Sequence, residues 1–255
     1  MKELISLVIT LFCGILFLVG VLITQKAKNK RGIYAFSASL AFSVMLGLVF
    51  VDIIPEIFSS FGSYSLYKKI IYFLSFTLMG ILILKIFDGL IPAHHHEHHH
   101  HEKNVKEHND HLYHVGFLTT IALIIHNIIE GFALYTLTLS DFHLGLLMCV
   151  GVGLHNIPMG MQISLSFELA NLNKMKKGVN YLLLILSCFI GGLLAFLITN
   201  VSEMILGILL CFTCGMLLYI SLFELLGEIK SNWKDKFSQL GILSGVILIV
   251  LSLVL

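Results

Sequence analysis

Apolar residues in this chain run on without a break instead of alternating with polar ones. Eight such runs stand out, at about 4–25, 33–60, 69–92, 115–139, 143–170, 178–202, 204–227 and 237–255. Each is roughly 20 residues or longer, enough to cross about 30 Å of hydrocarbon at about 1.5 Å rise per helical residue. A transmembrane barrel would need short alternating segments of about ten residues, which the runs are not. The expected fold is an all-α integral membrane protein, a bundle of eight transmembrane helices. The first run is too long for the apolar core of a secretory signal and no small-residue cleavage site follows it, so it reads as a retained helix.

Composition points the same way. With 57% hydrophobic and 12% charged residues and a mean hydropathy of +0.94, a water-soluble globule would expose far more apolar surface than it could bury. The net charge of +1 implies no nucleic acid or other acidic partner; the bilayer is the expected surroundings. Twelve of the sixteen Lys and Arg residues fall between runs 1 and 2, 3 and 4, 5 and 6, and 7 and 8. The positive-inside rule then puts those connections in the cytoplasm and both termini outside it. Cys13, Cys149, Cys188, Cys211 and Cys214 all lie within predicted spans; as a CxxC spacing without a second pair, the last two read as packing residues.

Between runs 3 and 4 the sequence becomes polar and repetitive, and ten of the thirteen histidines gather there: His94, His95, His96, His98, His99, His100, His101, His108, His111 and His114. Too polar to bury a core, the segment 94–114 is expected to be a disordered cytoplasmic loop between helices 1–3 (1–93) and helices 4–8 (115–255) of one transporter domain. Neutral imidazoles in such density ligate zinc, copper, nickel or iron. The loop alone speaks of metal binding, not of transport.

Ionisable groups inside spans carry the stronger signal, because a carboxylate at the centre of a bilayer costs roughly 3 kcal/mol on insertion scales. Run 4 reads LIIHNIIEGFAL and puts His126 and Glu130 one turn apart on one face. Run 5 reads GVGLHNIPMGMQ, with Pro158 expected to kink the helix around His155. Two imidazoles and one carboxylate are the ligands of open zinc sites that keep a position for exchange.

At these residues the chain resembles the ZIP family of zinc and iron permeases, whose fourth and fifth helices carry HNxxEG and HNIPEG; here they read His126-Asn127-Ile128-Ile129-Glu130-Gly131 and His155-Asn156-Ile157-Pro158-Met159-Gly160. Run 2 ends VDIIPE, with Asp52 and Glu56, and run 7 carries GMLLYISLFELLGE, with Glu224 and Glu228, both similar to family patterns. The resemblance implies inward movement of a divalent ion by alternating access to a site between helices 4 and 5, in a multi-pass protein of the plasma membrane, often a homodimer. Zn2+ is the expected cargo, with Cd2+, Fe2+ or Cu+ as further candidates, and no organic cofactor is implied. The chain departs from the pattern at Met159, where the family has a bridging glutamate, and at Cys188, which falls near another. A single site of His126, Glu130 and His155 is therefore expected, with Met159 as a soft fourth ligand and Asn127 and Asn156 as hydrogen-bonding partners of the ligands. Asp52 and Glu56 would attract cations at the outer mouth, while Glu224 and Glu228 would meet them at the exit. Asp88 and Lys85, three apart in run 3, read as a structural pair.

Two other classes compete. A membrane-anchored metal sensor would bind through the histidine loop, but it needs neither eight spans nor a buried Glu130. An intramembrane zinc hydrolase would also gather histidines, yet HExxH is absent and no nucleophile accompanies a histidine in a recognisable motif.

Overall fold

The computed structural model describes residues 1–26, 29–90, 102–198 and 202–254. Its elements are α1 (Lys2–Gln25), α2 (Lys30–Ser60), α3 (Leu66–Leu90), α4 (Glu102–Ser140), α5 (Phe142–Leu169), α6 (Lys174–Leu197), α7 (Glu203–Ser231) and α8 (Lys236–Val254), with no strand among the described residues. Seven of these helices are long and apolar enough to cross a membrane, and α8 adds a shorter apolar one, Lys236–Leu251. Polar residues set where they begin. The side chains of Asn29, Asp141, Asn173 and Ser202 accept hydrogen bonds from the first free backbone N–H groups of α2, α5, α6 and α7, each such cap being worth about 1 kcal/mol.

One boundary differs from expectation. Residues 102–114, read as part of a disordered loop, continue α4 toward its N-terminus. Propagating an existing helix fixes one residue per hydrogen bond gained, so a long apolar helix extends into a polar flank that could not nucleate alone. Contacts of His111 and His114 with α3 and α7 hold that flank in place. His94, His95, His96, His98, His99, His100 and His101 lie outside the described residues.

The helices pack as two bundles. α1 lies against α4, α5 and α6; α2 lies against α7 and α8, and α3 against α7. Glycines let backbones touch inside each bundle. A Cβ on Gly131 of α4 would strike the Cys188 carbonyl of α6, and one on Gly191 would strike the Ile128 carbonyl in return; Gly80 of α3 and Gly215 of α7 make the same reciprocal contact. Small residues at this spacing draw membrane helices together where no hydrophobic force does so. Between the bundles, α2 meets α5 and α4 meets α7 mainly through side chains. Outward-facing Leu74, Leu78, Leu82 and Ile86 leave α3 apolar on its exposed side, as lipid requires.

Three irregularities interrupt the rods. α1 is broken at Leu16. α2 widens into a π turn at Val49–Ile53, immediately before Pro55, whose ring would clash with a carbonyl of a regular turn. α7 has a second π turn at Ile220–Leu225. Pro158, by contrast, stands inside α5 without interrupting it.

Candidate metal centre

His126 and Glu130 lie one turn apart on α4, and His155 of α5 faces them. All three are buried, 4%, 8% and 8% exposed. His155 Nε2 is 3.1 Å from Glu130 Oε1, and His126 Nε2 is 3.8 Å from Glu130 Oε2. One ligand atom from each residue lies within 4.8 Å of the others. His126 Nε2 has no hydrogen-bond partner although it is fully enclosed, and the same holds for Asn127 Oδ1. Leaving a buried polar atom unpaired costs about 1–3 kcal/mol, so an imidazole lone pair held dry beside a carboxylate is a vacant coordination position in chemical terms. Neutral imidazole and carboxylate are the ligands a borderline cation such as Zn2+ accepts.

The remaining residues singled out in the sequence fall into three places. Asp52 and Glu56 line a cavity of about 390 Å³ that also exposes Glu130 and His155; Asp52, on the first π turn, is exposed at its rim. Met159 is 2% exposed and packs in the main apolar core, and Asn156 donates from Nδ2 to the Cys13 carbonyl at 3.5 Å. Glu224, on the second π turn, lies with Asp88 and His114, one ligand atom of each within 4.8 Å of the others. Glu228 pairs with His111 Nε2 at 3.0 Å.

Asp88 corrects the expectation of a pair with Lys85. Its two oxygens meet His114 Nε2 at 2.5 Å and the Tyr219 hydroxyl at 2.7 Å, while Lys85 is exposed. An imidazole and a phenol held by neighbouring helices satisfy a carboxylate with less loss of side-chain freedom than a mobile lysine does. The sequence offered one clue: an intramembrane aspartate whose only near cation, three residues away, could instead extend toward the interface. Cys188 lies with Cys13 and Cys149 in a separate cluster.

With this geometry in hand, comparison with known proteins is decisive. The family model described as ZIP Zinc transporter matches residues 92–253. The chain belongs to the ZIP family. It is therefore a multi-pass membrane transporter and not an enzyme. Proteins named zinc transporter ZupT are similar over nearly the whole length: that of Oceanobacillus iheyensis is 30% identical over 100% of this chain and 98% of its own, that of Campylobacter jejuni 29% over 98% and 95%, and that of Corynebacterium glutamicum 28% over 97% of each. The ZIP match takes in α4, α5 and the whole of the His126, Glu130 and His155 cluster.

Proposed function

We propose that this ZIP protein carries Zn2+ across the plasma membrane into the cytoplasm through one site made of His126, Glu130 and His155. The observation that carries the reading is the dry, unpaired Nε2 of His126 beside Glu130 and His155, at the head of a cavity that also holds Asp52 and Glu56. The names of the ZupT relatives support zinc as cargo. With α8 counted as a span, eight crossings bring both termini to one side, and the lysine-rich junctions before α2, α4, α6 and α8 belong in the cytoplasm by the positive-inside rule.

In this reading the cavity opens outward. Carboxylates of Asp52 and Glu56 raise the cation concentration at its mouth, and the ion exchanges water for two imidazoles and Glu130. Binding displaces any proton shared by Glu130 and His155. Toward the cytoplasm the two bundles are joined by polar contacts: Lys30 to Glu168 at 2.6 Å, Ser37 to Gln162 at 2.9 Å, His111 to Glu228 and His114 to Asp88. Breaking these while the glycine contacts within each bundle hold would let the bundle carrying the site shift against its neighbour. The ion would then leave past Glu224, Asp88 and His114. Met159 stands where a thioether would favour zinc, cadmium or Cu+ over manganese.

The test is zinc entry into vesicles holding an internal zinc-sensitive dye, for the natural protein and for His155→Ala with the histidine segment intact. Loss of entry in the variant supports transport through this site. If vesicles with the natural protein admit no metal while the histidine segment still binds it, the protein is a sensor and the transport reading falls.

A further inference from the structure

The transport site leaves a second set of metal-seeking atoms unused. Cys13 of α1, Cys149 of α5 and Cys188 of α6 are all buried and none is in a disulfide. They form one small cluster with Leu134 and Val152. The Cys13 thiol is hydrogen-bonded to the thiols of both Cys149 and Cys188, and the Cys149 thiol also faces the Ile9 carbonyl at 3.9 Å. Buried cysteines usually serve as small apolar filler. Three of them meeting from three helices also place two soft ligand atoms side by side in either of two combinations.

The same residues hold the transport site through their backbones. Asn156, next to His155, donates to the Cys13 carbonyl. Gly131, next to Glu130, rests on the Cys188 carbonyl. Cys149 lies six residues before His155 on α5, and its neighbours Met148 and Val152 line the cavity that reaches Glu130.

We propose that Cys13, together with Cys149 or Cys188, is a binding site for a soft divalent cation of the Hg2+ or Cd2+ type, and that its occupation stops transport without touching the His126, Glu130 and His155 ligands. The blocking step rests on the transport reading above; the binding step does not. Two thiols each lose a proton and form one sulfur to metal bond, with no change of oxidation state. Two thiolates and a divalent ion make a neutral unit, which a low-dielectric interior tolerates where a residual charge would not be. Thiolate also prefers soft ions to zinc-like borderline ones. Drawing α1 onto α5 or α6 displaces the Cys13 carbonyl, and with it Asn156 and the neighbouring His155.

The experiment uses full-length protein carrying Cys211→Ala and Cys214→Ala, so that only the three clustered thiols remain. Hg2+ is titrated while the ultraviolet thiolate-to-metal charge-transfer band is recorded, and zinc entry is measured in vesicles from the same preparation. One equivalent of Hg2+ should produce the band and abolish zinc entry. Adding Cys13→Ser should remove both the band and the inhibition, leaving zinc entry in untreated vesicles intact; the pair Cys149→Ser and Cys188→Ser should do the same by removing both partners. A band or an inhibition that persists in either variant overturns the proposal. If no form of the protein admits zinc, the transport reading fails, and the band alone still decides whether the thiols bind.

Discussion

Ser37 of α2 and Gln162 of α5 form the most enclosed of the polar contacts between the two bundles, 0% and 1% exposed with 2.9 Å between hydroxyl and amide oxygen. Ser37→Ala removes the donor and leaves Gln162 Oε1 buried without it, a penalty of about 1–3 kcal/mol. In a form opened at the lysine-rich end, water would reach the amide and the penalty would disappear. The mutation should therefore favour the opened form by about 1–2 kcal/mol, roughly 5- to 30-fold in population. Leu165, buried on α5 against Tyr34 of α2 and Leu112 of α4, reports on that seam. In a background without the native cysteines, a cysteine placed at Leu165 should react with a maleimide added from the lysine-rich side faster by the same factor once Ser37 is alanine. Adding Gln162→Leu makes both partners apolar and should bring the rate most of the way back. An unchanged rate in the single variant, or a further rise in the double one, would refute the idea that this contact holds the closed end shut.

Four more outcomes can be checked directly. Glu130→Gln keeps the side-chain volume but removes the only charge among the three ligands, and vesicle assays should show zinc entry lost while the protein still purifies as a folded species. Asp52→Asn with Glu56→Gln should raise the KM for zinc and leave kcat unchanged, with the difference shrinking as salt screens the mouth. Gly131→Ala presses a methyl on the Cys188 carbonyl and should lower stability in detergent by about 1–3 kcal/mol, whereas Gly178→Ala, with nothing within 4 Å, should raise it by up to about 1 kcal/mol; thermal unfolding separates the two. Met159→Glu should strengthen manganese uptake and spare zinc uptake, and no response in either would mean that Met159 only packs.

Much of the fold could be read from the sequence because lipid imposes a simple rule: a long apolar run forms its own backbone hydrogen bonds, and a helix is the result. The run at 143–170 and the helix Phe142–Leu169 agree for that reason. The pairing of His126 with Glu130 was legible from the helical repeat alone, since it needs no knowledge of neighbours. His155 joined them as the HN motifs suggested. What stayed hidden depended on partners in space. Asp88 is satisfied from α4 and α7, a choice that no spacing within α3 encodes, and the three cysteines meet only once α1, α5 and α6 are packed. The helical flank 102–114 was missed because its composition is that of a loop, while its stability comes from the apolar helix it extends and the ion pairs it reaches.

The two π turns, Val49–Ile53 and Ile220–Leu225, each hold one residue more than a regular turn would. Each behaves as a single-residue insertion that the helix absorbed without breaking, and Asp52 and Glu224 sit on those insertions. Deleting one residue there would let the helix revert to its ordinary winding and rotate everything beyond by about 100°. In each case the stretch that follows would change faces, apolar side chains toward polar surroundings and the reverse. A carboxylate in such a turn is therefore fixed by the length of the chain as much as by its identity, and a shortened gene could lose the acid's placement while keeping every acid.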